Sequence, residues 1–141
     1  MPAEWEPHTA TWIAWPHNAS DWPGRFHPIP WVYAEIVRHL SAVEQVHILV
    51  QNADAEKRVR GVLNRAQVNV ATVYFHQWPT NRVWTRDSGP IFVRRVEGHD
   101  VTKENSLAIT NWKFNAWAKY PDWESMGPVP NVVRRVFAEA Q

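Results

Sequence analysis

The most constraining feature of this chain is a hydrophobic pattern that alternates between a period of two and a period near 3.6 from Thr9 to Phe75. Thr9 to Trp15 (TATWIAW) alternates small polar with large apolar residues and reads as a strand that Pro16 ends. Trp31 to Val43 places Val32, Ile36, His39, Leu40 and Val43 near one helical face, with Glu35 and Arg38 outside that stripe. Pro30 suits the start of that helix. Glu44 to Val50 (EQVHILV) is a short apolar run of strand character. Asn52 or Asp54 can cap a second helix over Ala55 to Arg65, with Val59, Val62 and Leu63 inward and Gly61 as its weak point. Val68 to Phe75 (VNVATVYF) is a third strand. Strand, helix, strand, helix, strand in this order predicts an α/β layered fold.

The remaining segments are different. His17 to Pro30 is a loop with a turn at Pro23–Gly24, and His76 to Ser88 is a second loop, dense in polar residues and Trp. Gly89 to Val96 and Ser106 to Phe114 read as two strands forming a hairpin through Glu97 to Asn105. Asn115 to Pro130 is a third, aromatic loop, and Val132 to Ala140 a short helix capped by Asn131. No linker or low-complexity tract interrupts the 141 residues, so they read as belonging to one domain.

Composition excludes several function classes. At 45% hydrophobic and 21% charged the chain is too apolar for disorder, and a net charge of +1 gives no electrostatic reason for a nucleic acid or an anionic membrane as partner. The N-terminus lacks the pattern of a signal peptide and no apolar run is long enough to span a bilayer, so a soluble, cytoplasmic protein is expected. Cysteine is absent, which removes disulfides, thiolate zinc sites and a cysteine nucleophile from these residues. The seven His show no metal-ligand spacing, and His39 and His47 sit where a hydrogen-bonded core imidazole is expected. No nucleotide-binding glycine motif occurs, so neither metal nor cofactor is expected. Ten Trp point to a large aromatic core, a binding face, or both.

Two segments can carry chemistry, both on loops that follow strands, where α/β sheets tend to bind ligands. In the first, Trp84 and Asp87 are three apart. A carboxylate beside an indole face can receive a planar cation, the carboxylate accepting its N–H groups and the ring attracting its charge. The alternative is that Arg86 and Asp87 form a structural ion pair while Trp84 fills the core. In the second, Asn111 to Tyr120, the aromatics form either a stacking platform for a sugar or base, or a strand end that packs inward.

Three motifs, MPAEWEPHTATWIAWP (Met1 to Pro16), VWTRDSGPIFV (Val83 to Val93) and NWKFNAWAKYPDW (Asn111 to Trp123), occur in this order. Together they closely resemble the agmatine deiminase and bacterial peptidyl-arginine deiminase family, within the pentein superfamily. The resemblance implies an α/β-propeller of five ββαβ-type modules around a central site, of which this chain would be the N-terminal part, roughly the first two modules. It implies hydrolysis of a guanidino group, with agmatine yielding N-carbamoylputrescine on the way to putrescine. A peptidyl arginine is the close alternative substrate.

By this resemblance Asp87 is the carboxylate that grips the guanidinium and Trp84 the aromatic beside it. Arg86, Gly89 and Pro90 shape the turn, and Asn115 and Trp117 shape the site. The family's histidine, second carboxylate set and cysteine are expected beyond residue 141, so the chain is not expected to complete the chemistry alone. Arg82 departs from the family pattern, where many members carry an acidic residue, and Ala118 stands where many have Gly. Two other classes remain open: a non-catalytic pentein fragment that binds a guanidino ligand or a protein, and a Trp-rich carbohydrate-binding domain. Two modules cut from a closed ring would expose sheet edges and an apolar flank, which predicts self-association into homo-oligomers or marginal stability.

Overall fold

The structure is a computed structural model; it describes residue 5 and residues 9–88, 91–94 and 107–110, with side chains as far as Arg86. Three strands, β1 (Ala10–Ala14), β2 (Gln45–Val50) and β3 (Val73–Gln77), form a parallel sheet in the order β1-β2-β3. The register pairs Ala10 with Gln45 and Val46 with Val73. Helix α1 (Ile29–Leu40) connects β1 to β2, and α2 (Ala53–Arg65) connects β2 to β3. Parallel crossovers are almost always right-handed, so a sheet whose strand order follows chain order carries both helices on the same face. A short helix α3 (Thr85–Ser88) follows, then the antiparallel pair β4 (Ile91–Arg94) and β5 (Leu107–Thr110). The α/β class and the hairpin strands are as the sequence implies. The expected 97–105 turn, 115–130 loop and 132–140 helix lie outside the described residues.

Alternation along the strands sorts their side chains onto two faces. Val46, Ile48, Val50 and Val73 lie under the helices and pack with Ala34 and Val37 of α1 and with Val59 and Leu63 of α2. The opposite face carries Trp12 from β1, His47 from β2, and Tyr74 and His76 from β3. At one end of the sheet, Ala14 and Leu49 form a second small core with Val83, bordered by Trp12, Trp22, Tyr33 and Trp78.

The ends of α2 explain its position. The Asn52 side chain accepts the Ala55 N–H at 2.9 Å, and Asp54 and Glu56 in the first turn favour the helix dipole. At the other end Gln67 takes a left-handed conformation at φ 56°. The Val68 N–H then reaches the Leu63 carbonyl and the Gln67 N–H the Asn64 carbonyl, both at 3.0 Å, closing a Schellman motif with Val68 buried beneath it. Helix α1 has no side-chain cap; Pro30 lies in its first turn, and Arg38 and His39 lie in its last.

Three sequence expectations are corrected. Helix α1 turns Tyr33, Ala34, Val37, Leu40 and Ser41 inward, whereas Val32, Ile36 and Val43 are exposed. Both stripes of this helix are apolar, so periodicity alone allowed two solutions, and small Ala34 against the sheet belongs to the one that packs. His39 is therefore no core imidazole: it is exposed and shares Glu35 with Arg38. Third, residues 70–72 form a 3-10 turn capped by Asn69, which moves the strand to Val73–Gln77 and brings His76 into it from the expected loop.

Candidate functional site

The carboxyl ends of the three parallel strands lead into segments that are tied together by side chains. His17 follows β1, Gln51 follows β2 and Thr80 lies beyond β3. Gln51 Nε2 lies 3.0 Å from His17 Nε2 and donates to the Thr80 carbonyl. Asn18 also caps the 3-10 turn Ala19–Asp21 and sends its amide to Asn81 Oδ1 at 3.0 Å.

From Thr80 onward nearly every residue is held by a different element. Arg82 reaches back to Ser20 Oγ at 3.1 Å and to the Asp21 carboxylate. The Asp21 side chain is only 1% exposed and that of Arg82 13%, so this is a buried ion pair across a long stretch of chain. Among the described residues, Asp21 Oδ2 accepts no hydrogen bond. Val83 is buried against Ala14 and Leu49. Thr85 Oγ1 donates to the Trp12 carbonyl at 3.3 Å. Thr9 and Trp15 bond their backbone to β2, so by the alternation of a parallel ladder Trp12 turns its carbonyl to the edge of β1 away from β2. Thr85 thus seats α3 against that edge.

Trp84 lies between these anchored residues and is 40% exposed. It is not among the buried core residues. Asp87 follows on α3, where its backbone is described and its side chain is not. Asn115 and Trp117 lie outside the described residues, so the site as drawn brings together Trp84 and the backbone position of Asp87.

A second constellation lies on the sheet face away from the helices. Trp12 stacks on His47 at 4.3 Å and on His76 at 4.7 Å, and Trp78 stacks on His76 at 4.8 Å. His47 Nδ1 and His76 Nε2 are 2.9 Å apart, so one ring donates to the other's bare nitrogen. Desolvation lowers the pKa of both; with the neighbouring His47 adding to it, His76 is brought to about 4. His47 is hydrogen-bonded as the sequence implies, but it is only part-buried and lies on the sheet face away from the helices rather than in the core. The stack as a whole had a visible signal, since Trp12, His47, Tyr74 and His76 all fall on one period-two face. Among the described residues no group of three His, Cys, Asp or Glu could hold a metal ion, and no helix is long and apolar enough to cross a membrane.

The segments that follow the strands of this parallel α/β sheet thus carry a partly exposed indole, Trp84, three residues before Asp87. The sequence profile of the Porphyromonas-type peptidyl-arginine deiminases matches residues 1–140, and the chain belongs to that family. It is 33% identical over 129 residues to the agmatine deiminase of Medicago truncatula, covering 87% of this chain and 33% of that one. Among solved structures, an agmatine deiminase of Enterococcus faecalis superimposes with a TM-score of 0.74 at 21% identity, over 98% of this chain and 35% of the other. A C. jejuni agmatine deiminase with substrate bound matches with a TM-score of 0.64 at 24% identity, over 96% and 35%. The chain thus spans about a third of the length of the relatives it matches, and it corresponds to their N-terminal portion.

Proposed function

We propose that these residues are the N-terminal part of a cytoplasmic guanidine-hydrolysing deiminase, roughly the first two of five ββαβ-type pentein modules, with agmatine as the substrate. The observation that carries the reading is Trp84, held outward between buried Val83 and tethered Thr85, three residues before Asp87. The indole face attracts the flat guanidinium cation, and the Asp87 carboxylate accepts its N–H groups in a fork. Asn115 and Trp117 shape the surroundings.

The guanidinium carbon resists attack because its charge is delocalised, so holding the cation is only the first part of the reaction. A cysteine thiolate adds to that carbon, ammonia leaves with a proton delivered by a His, and water then displaces the sulfur to give a urea. For agmatine and water the products are N-carbamoylputrescine and ammonia. The 141 residues contain no cysteine, so they contribute substrate binding and not the nucleophile. The family's description favours peptidyl arginine as a second reading, because the same half-site grips the same group.

Calorimetric titration of the 141-residue chain tests this. Agmatine, N-acetyl-arginine amide and putrescine are the ligands. A guanidine is expected to bind saturably, putrescine not at all, and Trp84→Ala and Asp87→Asn are expected to abolish binding without loss of fold. The tighter of the two guanidines decides between the substrates. Putrescine binding as well as agmatine, or agmatine binding unchanged in Trp84→Ala, refutes the site. No ammonia is expected to be released from agmatine by this chain alone.

A further inference from the structure

Of the two outer edges of the parallel sheet, that of β1 carries α3 through Thr85, while among the described residues nothing pairs with that of β3. The ladder fixes which groups the β3 edge presents. The Gln45 N–H meets the Thr9 carbonyl and the Trp15 N–H the Leu49 carbonyl, so Gln45, His47 and Leu49 turn their backbone to β1, and Val46, Ile48 and Val50 turn theirs to β3. Val46 is paired with Val73, and in a parallel ladder a residue bonds to those on either side of its pair. Tyr74 and His76 therefore face β2, and Val73, Phe75 and Gln77 send their backbone groups outward. The Val73 N–H is taken by the Val70 carbonyl. The Val73 and Phe75 carbonyls and the Phe75 and Gln77 N–H groups have no partner among the described residues.

Sheet edges are commonly protected by Lys, Pro, a bulge or a covering segment. The β3 sequence, VYFHQ, contains neither Lys nor Pro, and its register with β2 runs without a bulge. We propose that β3 is the docking edge for a second copy of this chain, paired antiparallel about a two-fold axis at Phe75. This register matches the whole of Val73–Gln77 with the same segment of the other copy. Phe75 of each copy exchanges its N–H and C=O with Phe75 of the other, and each Gln77 N–H meets the Val73 carbonyl of the other. The outward groups are thus complementary to themselves. Tyr74, which is 44% exposed, comes opposite His76 of the other copy in a non-hydrogen-bonded pair, where side chains stand closest, so the aromatic face of one sheet continues into the next. On the helix face, Arg60 lies 4.2 Å over the Phe75 ring and is paired with Glu56 at 2.8 Å.

Light scattering of the 141-residue chain during sizing is expected to show a concentration-dependent dimer. Gln77→Pro removes an outward donor and leaves the bonds to β2 in place, and Tyr74→Lys sets a charge at the seam. Each is expected to raise the dimer dissociation constant about tenfold or more, whereas Val43→Lys, at an exposed site after α1, leaves it unchanged. Because the chain has no Cys, single cysteines read the register. Oxidised Phe75→Cys is expected to form a covalent dimer, since its counterpart lies directly opposite, and Gln77→Cys is not, since its counterpart lies at the far end of the strand. A thermal melt shows that each variant is folded. A wild type that stays monomeric, a dimer unaffected by both edge variants, or a dimer lost in Val43→Lys overturns the proposal. Crosslinking by Gln77→Cys overturns the register. If Gln77→Pro or Phe75→Cys does not fold, Tyr74→Lys against Val43→Lys decides alone.

Discussion

Acid should destabilise the fold in two pH windows, the first of which belongs to the paired imidazoles on the sheet face away from the helices. His76 has a folded pKa of about 4 against an ordinary value of 6.5, chiefly because burial disfavours its charged form. Above pH 6.5 neither state binds the proton and the imidazole costs nothing. As pH falls from 6.5 towards 4 the unfolded chain takes up a proton that the folded chain refuses, so stability drops, and it levels off below 4. A displacement of that size would be worth about 3 kcal/mol at a fully buried site, but His76 is only part-buried, and solvent screening reduces this to on the order of 1–2 kcal/mol. His47 is lowered in the same direction and steepens the loss. The carboxylates act in a different window. Glu35, held at about 2 by its hydrogen bond to Arg38, and Glu56, lowered by Gln77 and Arg60, lose stability only as pH falls below 4.5. Urea midpoints measured between about pH 7.5 and about pH 5 therefore report the imidazoles. His76→Phe keeps an aromatic ring in the stack and removes one titration, so its midpoint should depend less on pH in this range, whatever its absolute stability. Equal slopes for the variant and the wild type would refute the assignment.

Two further outcomes test the fold. Leu63→Ala, at a fully buried position beneath α2, should cost about 2–5 kcal/mol, read as a lower urea midpoint with an unchanged slope. Gly61→Ala should stabilise by about 0.5–1 kcal/mol, because the position is inside α2 and an added Cβ meets nothing within 4 Å; a lower melting temperature would contradict it.

Local pattern carried the order of the elements well. Asn52 ahead of a periodic run marked the start of α2, and the alternation around Trp12 and His47 marked β1 and β2. It failed where a choice depended on packing. Val32 and Ile36 looked as good an inward face for α1 as Ala34 and Val37, and only docking on the sheet separates them. Asn69 offers its side chain to the Ala71 N–H, and that local bond turned residues 70–72 away from the strand that their β-branched residues suggested. At the candidate site, the spacing of Trp84 and Asp87 suggested a cation receptor beside a structural alternative, and the family motif singled out the same two residues. The clamp behind them was not legible, because Asp21 meets Arg82 and Asn18 meets Asn81 only through the fold, and no local spacing records such pairs.

The strand order of the parallel sheet also bears on how the protein is made. Each strand docks beside the one synthesised just before it, and each crossover helix covers the seam it has just created. No strand has to wait for a later one to complete its position, so β1, β2 and β3 can assemble in the order in which they leave the ribosome, at about 5–20 residues per second. The loop that holds Trp84 follows them, since its anchors at Asn18, Asp21, Gln51 and Trp12 all lie in the segments that precede it. The Trp84 segment is therefore the last part of residues 9–88 to set, and it forms on a sheet already in place.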